Sequence, residues 1–507
     1  MRITNAMTSN RLLLNINRNA GRLDRLYMQL SSGKIIQNPS ENPIIASRAL
    51  RFRTNIAEAE QHRRNTTQGM SWMEVSDQAM NNMTTILENM NTLLVQGASD
   101  TYQYEDRQKI AAELQMLFEQ LHSEMNGTFA GRYLFSGFRT NHPPIITQDD
   151  PYAHFGISKG LTGRDINRGV SRAWAPPDGT PPQLVPRPAG VDSSGNALSA
   201  APGANVIRLP YAGVDPSTIV ITVGDPPVNI TDIWGIEVVS LNDTSNPYEF
   251  ADHNNHYHVR FIQETGELVF TNAAADRLAS EGSAVLTYQI NGISQGELNP
   301  IIYFNTTDFN RPLTDDDGNV IAGQFVHFTQ ENQELQFEFG TNVRLTVNAQ
   351  ARNVYTWQMF SDIQNMLDGL NRVEVSSRSD LMIHYAAPPH NLSGADLELQ
   401  VDARLAYERA VYRESMRGKF SNMLGLMERH AATLTTEYTT LGSRLNRLEL
   451  IYERLDENID TFTELMSQNE NVDVLEVLMR LNAAEAIMQA AMQIGARISQ
   501  LSLVNFI

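Results

Sequence analysis

Between Phe420 and Met466, large residues recur at alternating spacings of four and three: Phe420, Leu424, Met427, Ala431, Leu434, Tyr438, Leu441, Leu445, Leu448, Tyr452, Leu455, Ile459, Phe462 and Met466. This is a heptad seam, the signature of a helix that lays one apolar stripe along a partner. As one helix it runs roughly 70 Å at 1.5 Å per residue. Helices inside compact domains usually run about 8–20 residues. A stripe this long needs a partner of matching length, and the opposite end of the chain supplies candidates.

Residues 5–32 read as an amphipathic helix with Leu12, Ile16, Asn19, Leu23, Leu26 and Leu30 on one stripe. Asn19 falls inside the stripe, where a polar residue sets register at some cost in stability. Alone, such a helix is marginal in water and needs its stripe covered. Breaks follow at Gly33 and at Asn38-Pro39-Ser40-Glu41-Asn42-Pro43, where Asn42 suits a helix cap and Pro43 a first turn. The next helix spans about 44–96, with Met73, Met80, Met83, Leu87, Met90 and Leu94 on its seam. Its methionines read as adaptable packing groups. A third helix covers about 105–126, and a glycine-punctuated turn into a strand follows to Gly137.

After Pro143-Pro144 the helical period disappears. Residues 175–204 are rich in Pro, Gly, Ser and Ala and read as a linker or surface loop. From about 205 the period becomes two. Strands are predicted at Thr218–Val223, Ala284–Ile290 and Ile301–Phe304. Hairpins are predicted at Tyr257–Ile262 with Glu267–Thr271, and at Leu335–Phe339 with Val343–Val347. Such spacing suggests sandwich or barrel-like modules. Helix returns at Trp357–Leu370, a loop is predicted over 373–392, and helix resumes at about 395. A last helix, about 474–501, carries Ile487, Ala491, Ile494, Ile498 and Leu501.

Composition narrows the function classes. The 507 residues suggest about three domains. A net charge of −19 without a basic patch argues against a nucleic-acid partner. Cysteine is absent, which removes disulfides, thiol catalysis and cysteine metal sites. No segment is apolar enough to span a membrane or to form a cleaved signal core. Membrane is therefore not an expected partner, and export, if it occurs, needs another route. The four lysines are Lys34, Lys109, Lys159 and Lys419; the other long cations are arginines, suited to planar pairing with carboxylates.

Motifs at both ends carry a resemblance. Gln29-Leu30-Ser31-Ser32-Gly33-Lys34 followed by Pro39-Ser40-Glu41-Asn42-Pro43 resembles the start of the bacterial flagellin superfamily. Glu41-Asn42 stands where that superfamily commonly has two aspartates. Tyr133-Leu134-Phe135-Ser136-Gly137, the stretch Leu441–Glu449 and the final Leu501–Ile507 resemble the hook-associated proteins of the third type, the hook–filament junction branch. The turn Ser467–Asp473 keeps only Glu470 and Asp473 of a more acidic flagellin turn. The resemblance covers about 1–140 and 340–507 and leaves 145–330 uncovered.

Four motifs bear on chemistry. Gly292-Ile293-Ser294-Gln295-Gly296 matches a hydrolase elbow, which requires a helix directly after it; Pro300 and the strand-like Ile301–Phe304 argue against that. His253, His256 and His258 cluster near Asp252, without the companions of a zinc set. Asp315-Asp316-Asp317-Gly318-Asn319 lacks the frame of a calcium loop and reads as a turn. Ser31-Ser32-Gly33-Lys34 contains S-x-x-K without companion motifs, and a helix-ending glycine accounts for Gly33. No cofactor, metal or catalytic residue is expected.

The expected fold class is α+β: an elongated antiparallel, coiled-coil-like bundle from both chain ends, with an inserted β-rich region. The expected domains are 1–140, 141–350 and 351–507. The bundle seam is expected at Leu434, Tyr438, Leu441, Leu445, Leu448, Tyr452, Leu455 and Ile459. Assembly contacts are expected at Leu12, Ile16, Leu23, Leu26, Leu30, Ile487, Ile494, Ile498 and Leu501, which repeating copies would cover by heterologous packing. The terminal segments are expected to be mobile in the monomer and to order on assembly. The resemblance implies an exported, extracellular flagellar protein that forms a ring with itself. It would meet the first hook-associated protein on one side and flagellin on the other, and an export chaperone would hold the C-terminal helix. A flagellin, or a junction protein whose central region 205–330 also binds glycans as an adhesin, are the alternatives; a hydrolase is a third.

Overall fold

The computed structural model describes residues 5–504 apart from 100, 176–180, 186–189, 192–196, 199–202, 225–226, 230–234, 244, 251–257, 281–283, 315–319, 341, 372–374 and 389. It contains the predicted combination of helical ends and an inserted β-rich region, an α+β chain. Two compact units emerge. One comprises Met1–Gly69, Phe337–Leu345 and Asn446–Ile507; the other comprises Met70–Gln336 and Thr346–Leu445.

Three helices open the chain: α1 (Asn5–Ser32), α2 (Pro43–Ala98) and α3 (Tyr104–Met125). Gly33, at φ +70°, ends α1 in the left-handed region that glycine enters without strain. Asn42 opens α2 as predicted: its Oδ1 accepts from the backbone N–H of Ile44 at 3.2 Å and of Ile45 at 3.3 Å.

The larger unit holds two main sheets beside short two-stranded ones. Strands are numbered β1 (Asp150–Leu161), β2 (Asn167–Val170), β3 (Ala204–Arg208), β4 (Val214–Val223), β5 (Val228–Asn229), β6 (Ile236–Val239), β7 (Val259–Ile262), β8 (Glu267–Phe270), β9 (Ala284–Ile293), β10 (Asn305–Thr314) and β11 (Val320–Phe328). One sheet has the order β5-β4-β9-β1-β10-β11, the other β6-β7-β8-β3-β2. Pairing is antiparallel except between β6 and β7. Strand β9 alternates, with Ala284, Leu286, Tyr288 and Ile290 buried, so its sheet has one face on a core. Strand β8 is buried at every position, as a central strand covered on both faces must be. Around it Val170, Trp174, Val206, Phe250, Ile262 and Val269 form one apolar cluster. Hairpin β7–β8 and the strand over Ala284–Ile290 appear as predicted. The predicted pair at 335–347 appears as β12 (Gln336–Gly340) with β13 (Val343–Thr346).

Helix α4 (Asn272–Ser280) follows β8, and α5 (Pro300–Tyr303) follows β9. The latter corrects the strand expected at Ile301–Phe304. Asn299 accepts from the N–H of Ile301 at 3.2 Å and Pro300 fixes the first turn, so a cap overrides the β-like composition. Helices α6 (Ala351–Val354) and α7 (Trp357–Asn371) come next, then α8 (Arg378–Ala386). Helix α8 corrects the loop expected over 373–392. Ser377 caps it, accepting from Asp380 N–H at 3.1 Å, and Leu381 and Tyr385 pack with Val401. The chain ends in α9 (Gly394–Glu470) and α10 (Val474–Val504). Of the predicted linker 175–204, much lies outside the described residues; within it, Gln183–Val185 pairs with Arg172–Trp174.

Candidate assembly surfaces

The long seam is realised along α9. Every seventh residue from Phe420 is buried: Phe420, Met427, Leu434, Leu441, Leu448 and Leu455. The intervening Tyr438, Leu445, Tyr452 and Ile459 are half-buried. Met423, His430 and Ile451, which the pattern missed, are buried beside them. The stripe is thus wider than a two-helix seam, as in a helix that meets more than one neighbour.

In the smaller unit α1 lies antiparallel to α10. Leu26, Val477, Leu481 and Ala484 are buried together, with Leu23, Leu30 and Val472 packed against them. Further along, a side chain at Gly495 would meet Leu12 at 3.2 Å, so the helices approach closely there. Tyr27 hydroxyl donates to Glu485 at 2.5 Å, and that carboxylate raises the tyrosine pKa by its hydrogen bond and its charge.

The face that α10 turns to α1 differs from its predicted stripe. Val477, Leu481, Ala484, Met488, Ala491 and Gly495 carry the inward positions. Ile487 and Ile494 are 52% and 53% exposed. The four-three spacing of the inward set was present in the sequence. Its small residues gave a weaker signal than the three isoleucines. On α1, Leu12, Ile16, Leu23 and Leu30 are half-buried and Leu26 is buried. Ile498 and Leu501 lie in α10, with side chains outside the described residues. Leu475, Met479 and Met492 join Ile487 and Ile494 among the exposed apolar groups of this helix.

The turns after α1 and α9 are clasped together. Lys34 and Asn471 form an antiparallel bridge, Ile35 N–H donates to Glu470 O at 2.7 Å, and Val472 N–H donates to Gly33 O at 2.9 Å. The Glu470 carboxylate takes Lys34 Nζ at 3.0 Å and Arg53 at 2.7 and 2.9 Å. Burial pushes its pKa up, but the hydrogen bonds from Lys34 and Arg53 outweigh this and hold it below the ordinary value. The S-x-x-K lysine therefore serves a structural ion pair. Below the clasp, Arg63 meets Asp456 at 2.7 Å between α2 and α9.

The other motifs can be placed. Gly292, at φ +81°, ends β9, and Ser294 and Glu297 close a loop in which Ser294 N–H donates to Glu297 Oε2 at 2.9 Å. Gln295 N–H is taken by Asp149 at 2.6 Å and Gly296 N–H by Ile146 O at 2.9 Å, so these donors are committed to the loop. A nucleophile elbow needs a helix at once, and α5 begins only at Pro300. His253 and His256 lie outside the described residues; His258 bonds Glu237 at 3.2 Å. No group of three metal-ligating side chains occurs among the described residues. Residues 315–319 lie outside the description, between the antiparallel β10 and β11. No described helix is long and apolar enough to cross a membrane.

Long helices from both ends and a β-rich insertion define a class of architecture, and comparison with known family models agrees for the ends. The family model of the bacterial flagellin N-terminal helical region matches residues 3–140, and that of the bacterial flagellin C-terminal helical region matches 424–507. In these two regions the chain is similar to the helical ends of bacterial flagellins. Two curated relatives are named flagellar hook-associated protein 3. The flagellar hook-associated protein 3 of Escherichia coli strain K12 is 29% identical over 166 residues, 30% of this chain and 52% of that protein. Its namesake from Salmonella typhimurium is 28% identical over 195 residues, 36% of this chain and 61% of that protein. The chain thus spans between 52% and 61% of the curated relatives it matches. The flagellar junction protein FlgL of Legionella pneumophila overlays 83% of this chain and 99% of its own at 13% identity, with a TM-score of 0.31.

Proposed function

We propose that this chain is a structural component of the bacterial flagellum, exported to the cell exterior, that forms a junction ring between hook and filament. The observation that carries the reading is the placement of flagellin-type helical regions at both ends of a chain whose curated relatives are named hook-associated protein 3. The ends make the assembly. Leu12, Ile16, Leu23, Leu26 and Leu30 with Ile487, Ile494, Ile498 and Leu501 belong to the terminal helices that neighbouring copies cover. The exposure of Ile487 and Ile494 supports this part of the reading. The seam from Leu434 to Ile459 serves packing within the copy rather than between copies.

The terminal segments 1–140 and 351–507 form the bundle domain parts, and 141–350 is the variable insertion. The first hook-associated protein meets one side of the ring and flagellin adds to the other. An export chaperone holds the C-terminal helix before assembly. The role is mechanical and asks no covalent chemistry of any residue.

Immunogold electron microscopy on intact flagella, with antibody to residues 205–330, tests this. Label confined to a band at the hook–filament boundary is expected. Label along the whole filament overturns the junction and makes the chain a filament subunit.

A further inference from the structure

The larger unit contains a polar cavity of about 400 Å³ between the β1–β2 connection, strand β3, the start of α7 and helix α9. Its two carboxylates are engaged. Asp165 accepts from Thr162 N–H at 2.6 Å, Thr162 hydroxyl at 2.9 Å and Gln358 amide at 2.6 Å. Asp362 accepts from Asn167 amide at 2.6 Å and faces His430 Nε2 at 2.9 Å. Some of its donors are left over. Arg208 and Trp357 line the cavity, and Arg208 Nε and Trp357 Nε1 are buried without a hydrogen-bond partner. The Arg208 side chain is only 9% exposed and spends its other end on Asp368. Two more guanidiniums, Arg164 and Arg429, line the same cavity, are exposed, and form no ion pair or hydrogen bond with a described residue through their side chains.

A buried donor without an acceptor costs free energy, so both nitrogens call for an oxygen supplied from outside the fold. Guanidiniums match the planar oxygens of a carboxylate or phosphate. The 15-residue helix α7 begins here and adds the positive end of its dipole. In a chain of net charge −19, unpaired cations gathered at one cavity stand out. We propose that this cavity is a binding site for a small oxyanion, a carboxylate or phosphate borne on a molecule of about sugar size. Arg164 and Arg429 engage the anion and Arg208 Nε and Trp357 Nε1 complete its hydrogen bonds. The hydroxyls of Thr162, Thr356 and Thr433 suit a hydroxylated carrier. The site rests on none of the assembly residues.

The test is isothermal titration of the full chain with glucuronate, with inorganic phosphate and with glucose. Saturable binding of glucuronate or phosphate, absent for glucose and weakened by added salt, is expected; the tighter of the two assigns carboxylate or phosphate. Arg164→Gln with Arg429→Gln should weaken binding at least tenfold, and Arg208→Lys, which keeps the charge and removes the Nε donor, about tenfold. Arg429→Lys should recover part of the loss. Circular dichroism melting checks that each variant folds. No binding of either anion overturns the proposal. Equal binding of glucose overturns it too. Anion binding indifferent to all three arginines means an adventitious ion only, which also overturns it.

Discussion

Lys34 and Glu470 meet at 3.0 Å across an antiparallel bridge that joins the turn after α1 to the turn after α9. The turns are 436 residues apart in sequence, and one buried carboxylate ties both to Arg53 of α2. Glu470→Gln should therefore loosen the clasp by about 1–2 kcal/mol at neutral pH. Its carboxyl is held below the ordinary value, so its contribution is fully present above the unfolded value of 4.5 and is lost as pH falls through the lower folded value. Wild type should lose stability over that acid window, and the glutamine variant should lose less. Urea unfolding at several pH values, with amide exchange at Ile35 as the local probe, checks both. An unchanged acid limb would remove Glu470 from this role.

A close approach elsewhere sets a limit on sequence change. A methyl group at Gly97, near the end of α2, would sit 2.6 Å from the buried ring of Phe420 at the head of the long seam. Gly97→Ala should cost about 1–3 kcal/mol by overpacking. Combining it with Phe420→Leu should recover part of the loss, because the two positions share one space. Denaturation of the two single variants and the double variant measures the coupling.

Two ion pairs of the chain should differ in weight. Arg172 and Glu267 meet at 2.5 Å with side chains 7% and 2% exposed, and Tyr248 donates to the same carboxylate at 2.8 Å. Burial disfavours both charges, but each partner restores the other's charged form. Glu267→Gln strands a buried guanidinium and should cost about 3 kcal/mol. Asp456→Asn breaks a pair with Arg63 whose side chains are 50% and 38% exposed, and should cost far less, because solvent screens it. Thermal melts of the two variants under one buffer decide the order.

His122 of α3 packs against Phe118 and Phe360, and its buried Nε2 has no partner. Burial lowers its pKa to about 4 from 6.5. Between those values the unfolded chain binds the proton and the folded chain does not, so stability falls as pH drops through the window. The full span corresponds to about 3 kcal/mol. His122→Phe should match wild type or exceed it at pH 7.5 and hold its midpoint better at pH 5. A variant that loses as much as wild type on acidification would locate the sensitivity elsewhere.

The helices were legible because their signals are local. Asn42 and Gly33 mark ends by their own chemistry, and the seam from Phe420 repeats often enough to survive an imperfect match. The central sheets were less legible. Strand β1 carries two glycines and a lysine, and β10 and β11 expose most of their side chains, so none announces a period of two. Their pairing is decided by neighbours distant in sequence. Ile301–Phe304 read as strand on composition, and one asparagine–proline cap reversed that. The inward face of α10 was hidden for a related reason: alanine and glycine carry it, and close helix approach favours small residues that a hydrophobic pattern discounts.

That division of α10 into two faces gives a sharper test of the assembly reading than removing the helix. Leu481 is buried against α1, whereas Ile487 and Ile494 are half exposed on the same helix. Leu481→Asp should separate α1 from α10 within a single copy, since a lone buried carboxylate has no partner there. Ile487→Asp with Ile494→Asp should leave the monomer's helicity and melting almost unchanged, because solvent already reaches both positions. If neighbouring copies cover that face, the double variant should still be exported yet fail to enter the flagellum, and cells should shed unpolymerised flagellin. Immunoblots of sheared flagella and culture supernatant read this directly. Normal incorporation of the double variant would move the interface to another face of α10, while normal incorporation of Leu481→Asp would show that the α1–α10 pair is dispensable for assembly.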